Sequence, residues 1–403
     1  MRFNTVNSAW GLLAAVFSLV VAEASATPPF SYYDSADIDV QGVPSQVDLD
    51  GSGTITGAEA RLWDVTMITP SIFVAGTNPP PPPAVNPVNV PIKVRIYLPE
   101  GYAAQPARNY PVLYLLHGGA GSYIDWSKTG SSGGDIVSTI GASPFDGIVV
   151  MVEGGRAGWY SDWVGETDGH FSPKWETYHV EQLVPWVDSN FRTIAERSGR
   201  AIAGLSMGGL GAMRYAARYP STFSAVGSFS GAVEMRYEPF QDTVSNSMWF
   251  YGATIGNQGQ FQSEYRMTFG GFPEEEETDR LEAIFGPTTS PQPGASHWPE
   301  NQPGWPSVNP VQLVSSYYGY SGKMAIYSGD SLVWWDGGEE DIVNMNNTFH
   351  EALKANGVVH RYCRGFGKHE WGYWKKDLID FLHYVYGSTP ATCTTNSGWS
   401  LVP

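Results

Sequence analysis

Ser206 stands in AGLSMGG, residues 203–209, with Gly204 and Gly208 on either side. A serine hydroxyl is a weak nucleophile until a base takes its proton, and a G-x-S-x-G turn is a place where chains raise such a serine above a sheet. The pattern occurs twice here, the second time as GSSGG at 130–134. Surroundings separate the two. A nucleophile elbow needs a buried strand before the serine, small residues around it, and a following helix whose N-terminus faces the developing anion. Ser206 has RAIAG before it and LGAMRYAARYP after it, whereas Ser132 follows IDWSKT, which carries no strand pattern. Ser206 is therefore the expected nucleophile.

A serine of this kind needs two backbone N–H donors for the oxyanion, one from the residue after it and one from a loop after an earlier strand. Met207 supplies the first. LYLLHGGAG ends an apolar run in His-Gly-Gly, which makes the Gly119 amide the second and gives His117 the task of bracing the loop. In the chain order nucleophile, acid, base, the histidine comes last. VVHRYCRGFGKHEWGYW places His369 on a loop after the last strand-like run, while His350 and His383 fall in helical patterns and His360 in a strand. The acid should leave the preceding strand in GDSLVWWDGGEED, where Asp330, Asp336, Glu339, Glu340 and Asp341 compete. Asp336 is the expectation, because Asp330 crowds the strand and Glu340 and Asp341 suit the first turn of a helix.

The elements that must position these residues alternate. Strand-like runs at 92–98, 111–118, 147–155, 200–204, 223–231, 323–329 and 358–363 are separated by amphipathic stretches such as WETYHVEQLVPWVDSNF and NNTFHEALKANG. That rhythm predicts an α/β fold, a mainly parallel central sheet flanked by helices. Residues 232–320, rich in Gly, Pro and aromatics, break it and read as a lid-like excursion. Trp126, Trp159, Trp163, Trp334, Trp335, Trp371 and Trp374 all fall in predicted loops around the site; they are either ordinary packing or a wall that stacks on a sugar ring or aromatic acyl group.

RIYLPEGY, YPVLYLLHG, WYSDW, WETYHVEQLVPWVDSNF, GLSMGGLGAMRYAARYPSTFSAVGSFSG and GKHEWGYW, in that order, resemble the esterase-D branch of the α/β hydrolases, which includes the mycobacterial mycolyltransferases. The resemblance spans roughly residues 90–387. It implies an α/β-hydrolase fold and carboxylic-ester chemistry with Ser206 as nucleophile, His369 as base and no metal in catalysis. In the mycolyltransferases a Glu precedes Gly-Gly in the acid loop; WWDGG resembles that spot through Asp336, with spacing that differs by a residue. HGGAGSYIDW lacks the arginine which that loop carries in the mycolyltransferases, so hydrolysis is expected over trehalose mycolyl transfer. An acyltransferase is the alternative, and a non-catalytic calcium-dependent adhesion or scaffold protein is another.

DLDGSGTITGAE, residues 48–59, fits an EF-hand calcium loop: Asp48, Asp50 and Ser52 at alternate positions, Gly53 at the turn, the Thr54 carbonyl, Thr56, and Glu59 at the twelfth position. The expected division is a signal peptide at 1–26, a calcium-loop appendage at 27–77, a proline-rich linker at 78–90, the hydrolase domain at 91–387 and a tail at 388–403. The signal rests on Arg2, the apolar stretch 9–22 and the small residues Ala24-Ser25-Ala26. Export suits an even count of two cysteines, so a structural Cys363–Cys393 bridge is expected. A net charge of −17 opposes nucleic acid and anionic lipid as partners. What remains is a small-molecule or polysaccharide-linked ester as substrate, a structural calcium ion, and a docking partner that the sequence does not name.

Overall fold

The computed structural model describes residues 26–55, 57, 59–75, 87–163, 173–237, 239–241, 243–244, 247, 284–285, 307–331, 339–387, 393 and 395–403. The strands are β1 (Asp39–Val40), β2 (Ser45–Gln46), β3 (Leu62–Ile68), β4 (Phe73–Ala75), β5 (Pro87–Asn89), β6 (Ile92–Tyr97), β7 (Val112–Leu116), β8 (Ile148–Val152), β9 (Arg200–Leu205), β10 (Ala225–Phe229), β11 (Met324–Gly329), β12 (Arg361–Gly365) and β13 (Ser400–Leu401). Five helices matter here: α1 (Ile136–Gly141), α2 (Val184–Asn190), α3 (Met207–Arg218), α4 (Glu340–Ala355) and α5 (Trp371–Tyr386).

β7 to β11 read VLYLL, IVVMV, RAIAGL, AVGSF and MAIYSG and are buried almost throughout. A strand covered on both faces has no polar side to show, so its sequence is a continuous apolar or small-residue run, as parallel sheets require. These strands lie in the order β8-β7-β9-β10-β11-β12, all parallel, with β6, β3 and β1 antiparallel beyond β8 and β13 antiparallel beyond β12. Successive side chains point to opposite faces. Val112, Tyr114 and Leu116 of β7 therefore join one core with Leu210 and Met213 of α3, Val184 and Val187 of α2 and Phe349 of α4. Leu113 and Leu115 join the other core, with Ile136 and Ile140 of α1 and Leu378, Phe381 and Leu382 of α5.

The α/β-hydrolase architecture expected from the sequence is present, but the segment ahead of the proline run is not a separate appendage. β3 pairs with β6 over six residues, from Leu62↔Tyr97 to Met67↔Ile92, and extends the central sheet. Its alternation decides this: Leu62, Trp63, Val65 and Met67 are buried, so the strand has an apolar side that only the sheet and its helices can cover. Most of residues 78–90 and of 232–320, and all of 1–25, lie outside the described residues.

The chain runs from β7 outward to β8, then returns to place β9 on the other side of β7. The connections after β7 and β9 thus diverge at the C-terminal ends of neighbouring strands. Open α/β sheets form their ligand crevices at such a switch point.

Candidate active site

Ser206 occupies that switch point. β9 ends at Leu205 and α3 begins at Met207, leaving Ser206 alone in the turn with φ 54° and ψ −121°. Positive φ is costly for a residue with a Cβ, by about 1–3 kcal/mol, and the turn persists because close packing over-determines it. A Cβ on Gly204 would stand 2.3 Å from the Gly208 carbonyl oxygen, and one on Gly208 would stand 2.6 Å from the Leu116 and His117 carbonyls. No side chain fits at either place, which is why glycines flank the serine. The Ser206 amide donates to the Phe229 carbonyl at 2.8 Å, tying the turn to β10.

The same geometry sets the two amides expected as oxyanion donors. Met207 is the first helical residue, so its amide has no acceptor within the helix. The loop after β7 runs close to Ser206: a Cβ on Gly118 would lie 3.4 Å from Ser206 Cβ. Gly154 N donates to His117 Nε2 at 3.0 Å, so that nitrogen is the acceptor and Nδ1 carries the hydrogen, which it donates to the Gly118 carbonyl at 2.8 Å. Gly121 N also donates to that carbonyl, at 3.2 Å. In a planar trans peptide the N–H points opposite to the C=O. Holding the Gly118 oxygen toward His117 therefore turns the Gly119 N–H away from it. His117 is fully buried, and Tyr160 Oη donates to its carbonyl at 3.0 Å.

Behind this loop lies Glu153, a buried residue the sequence reading did not single out, although it ends the apolar run GIVVMVE. It accepts from Tyr123 N at 3.3 Å and Gly155 N at 3.1 Å, and burial raises its carboxyl above the ordinary value despite the nearby His117 ring. Farther in, His179 accepts at Nδ1 from Tyr215 Oη (2.9 Å) and donates from Nε2 to the Glu153 carbonyl (2.8 Å). Burial pushes its pKa down to about 3.

His369 follows β12 on the loop before α5, as expected. Its Nδ1 is 3.0 Å from Oε1 of Glu339, which is fully buried at the start of α4. The other carboxylate oxygen, Oε2, accepts from Gly329 N at 2.8 Å. Asp336, the acid expected from sequence, lies outside the described residues; among the described residues the carboxylate on His369 is Glu339, one of its competitors. The physical reason is the end of β11: Asp330 N and Ser331 N bond to the Gly365 and Gly367 carbonyls, and Glu339 N returns to the Ser331 carbonyl at 2.8 Å, so the loop closes with position 339 beneath the histidine. The His369 side chain is 29% exposed, with no partner on Nε2 among the described residues.

The tail secures this loop. Cys363 and Cys393 form the expected disulfide. Beyond it, β13 pairs with β12, and Trp399 donates to the Phe366 carbonyl at 2.9 Å and stacks on Tyr373.

The tryptophan wall is a correction. Trp126, Trp159 and Trp163 are 1%, 3% and 0% exposed. Their indoles donate to the Leu116 carbonyl, Ser247 Oγ and the Gly158 carbonyl, so they are core residues whose single donor is satisfied by nearby backbone or hydroxyl oxygen. Trp371 is partly buried and packs edge-on against Trp126 at 5.1 Å. Trp334 and Trp335 lie outside the described residues.

Far along the chain from these residues, carboxylate oxygens of Asp48, Asp50 and Glu59 lie within 4.8 Å of one another. Asp48 accepts from Gly51 N and Gly53 N, Asp50 from Ser52 N, and Glu59 from Leu49 N, while Ser52 Oγ donates to the Thr54 carbonyl. Three hard oxygen donors around one point fit a calcium ion. Thr56 lies outside the described residues.

A parallel sheet with a strained serine turn between β9 and α3, and a histidine–carboxylate pair after the last parallel strands, defines the α/β-hydrolase class. Residues 86–385 match the model of the Esterase family, and the chain belongs to that family. An esterase of Mycobacterium tuberculosis is 46% identical over 178 residues, 44% of this chain and 34% of the relative. The chain thus covers about a third of that curated relative's length. The diacylglycerol acyltransferase/mycolyltransferase Ag85A of Mycobacterium leprae is 29% identical over 303 residues, 70% of this chain and 77% of the relative. Among solved structures, an S-formylglutathione hydrolase from Agrobacterium tumefaciens superposes with a TM-score of 0.52 at 15% identity, covering 82% of this chain and 96% of its own, a likeness of fold.

Proposed function

We propose that this protein hydrolyses carboxylic esters through an acyl-enzyme, with Ser206 as nucleophile, His369 as general base and Glu339 as the acid that orients it. The observation that carries this reading is the bond from His369 Nδ1 to the buried Glu339 carboxylate, which leaves Nε2 available for the serine proton. Ser206 Oγ attacks the ester carbonyl as its proton passes to His369 Nε2. The resulting oxyanion is received by the amides of Met207 and Gly119. His369 then returns the proton to the departing alkoxide, which leaves as the alcohol. Water, deprotonated by the same nitrogen, attacks the acyl-serine, and His369 returns that proton to the Ser206 oxygen as the acid is released. Glu339 holds the imidazole by Nδ1 and stabilises the imidazolium.

The substrate class is a small-molecule or carbohydrate-linked ester, with aromatic acyl groups among the candidates. Turnover of short p-nitrophenyl esters with an acylation burst, lost in Ser206→Ala, is the expected result; turnover that survives the substitution overturns the reading. The mycolyltransferase relative supports a second reading, acyl transfer to a sugar. An added sugar acceptor that diverts product from free acid to ester would favour it.

We further propose that the chain is exported, the 1–26 segment acting as its signal, and that calcium held by Asp48, Asp50 and Glu59 is structural. No helix among the described residues is long and apolar enough to cross a membrane. Because Glu59 opens the turn that leads into β3, calcium should raise the melting temperature by mass action on the folded state while kcat stays level. Reversible loss of kcat on chelation, with circular dichroism unchanged, would contradict the division.

A further inference from the structure

Ser230 stands one residue past β10, 1% exposed, with φ 49°. Glycine adopts that backbone without strain; a serine there brings a hydroxyl that glycine lacks. The hydroxyl has a specific partner: Trp374 Nε1 donates to Ser230 Oγ at 3.0 Å. The Trp374 indole in turn meets the His369 ring edge-on, with centroids 4.9 Å apart and planes at 87°. Trp371 packs edge-on against the same indole, with centroids 5.3 Å apart.

The backbone at Ser230 is held as firmly. The Phe229–Ser230 peptide accepts the Ser206 amide on its carbonyl (2.8 Å) and donates its own N–H to the Tyr327 carbonyl of β11 (2.7 Å). Two residues beyond Tyr327, Gly329 N holds the Glu339 carboxylate. One residue thus touches the strand that presents the serine, the strand that leads to the acid and, through one indole, the ring of the histidine. The Glu339 bond fixes His369 at one atom and leaves the ring free to swing about it. An indole pinned by its N–H and set edge-on to the ring stands where it can limit that swing.

We propose that Ser230 and Trp374 are positioning residues for His369: the Ser230 hydroxyl fixes the indole, and the indole fixes the tilt of the imidazole so that Nε2 points at Ser206. The proposal rests on the reading of His369 as base. Ser230→Gly keeps the left-handed backbone and removes the hydroxymethyl group with its acceptor oxygen; Trp374→Phe keeps one aromatic ring and removes the N–H together with the second ring. In the full-length protein each should lower kcat on an activated ester by about tenfold to hundredfold, with KM unchanged. The low-field proton resonance of the His369–Glu339 hydrogen bond should broaden while the melting temperature of Ser230→Gly holds. The double variant should be no slower than the slower single one, because both act through one contact. Wild-type kcat in Ser230→Gly, a loss expressed in KM, or two losses that multiply would overturn the proposal. Full activity in His369→Ala would instead remove the reading beneath it.

Discussion

His369 and His179 both pack against aromatic rings and are both bonded to oxygen, yet His179 is buried and His369 is partly exposed. His179 uses both nitrogens, one on Tyr215 and one on the Glu153 carbonyl, and stacks on Trp175 with centroids 5.8 Å apart. Each bond fixes a tautomer, and a second proton would have no acceptor. His369 has a full carboxylate on Nδ1 and no described partner on Nε2. A carboxylate stabilises the imidazolium that proton transfer creates, and a carbonyl dipole buried among rings does so far less. On the proposed reading, the catalytic histidine is marked by an anion on one nitrogen and no partner among the described residues on the other.

The strongest way to break this comparison is to remove each ring in turn. His369→Gln should cost about 10⁴-fold or more in kcat, whereas His179→Gln should leave kcat near wild type and reduce stability; steady-state kinetics and urea titration separate the two. Next is the anion. Glu339→Gln should lower kcat by about 10³- to 10⁴-fold with the fold intact, while Asp336→Asn should leave it close to wild type; the reverse ranking would return the acid to Asp336.

Smaller effects come through pH. The His179 pKa is depressed from 6.5 to about 3, so its contribution to stability is complete above pH 6.5 and is lost as pH falls from there toward 3. Through most of that window the slope approaches about 1.4 kcal/mol per pH unit. Urea midpoints measured across it should fall less steeply for His179→Gln than for wild type. The smallest effect belongs to Asp377 on α5, which burial, and then the Glu339 charge, push well above the usual carboxyl range. A raised folded pKa favours the fold below the ordinary value of 3.8 and opposes it as pH rises. Asp377→Asn keeps an acceptor for the Asn396 amide and should raise the neutral-pH melting temperature slightly. An unchanged melting curve would show that the carboxyl is accommodated without cost.

Elements with one dominant requirement were legible in the sequence. β7 to β11 announce themselves because burial on both faces admits only apolar and small residues, and the elbow does so because Gly204 and Gly208 have no space for a Cβ. β3 was hidden by its neighbours: LWDVTMI alternates as a strand should, but it stands between a calcium-loop motif and a proline run that together suggest a boundary. The tryptophans misled because a loop at a sheet's end can fold inward, and an indole needs only one acceptor to be buried there. The acid was hard for a different reason. Five carboxylates within twelve residues share composition and polarity, and only the closure of the loop on the Ser331 carbonyl selects which one lies under His369.

The clamp on the β12–α5 loop has a consequence in time. A ribosome delivers Ser206 and its elbow long before residues 393–402, yet those later residues supply the second sulfur, the Trp399 indole and the strand that hold the loop of His369. Ser206 is therefore made well before the residues that secure the loop of His369. On the proposed reading, a chain made only as far as residue 392 carries Ser206 without a secured proton acceptor, and ester turnover waits for residues 393–402.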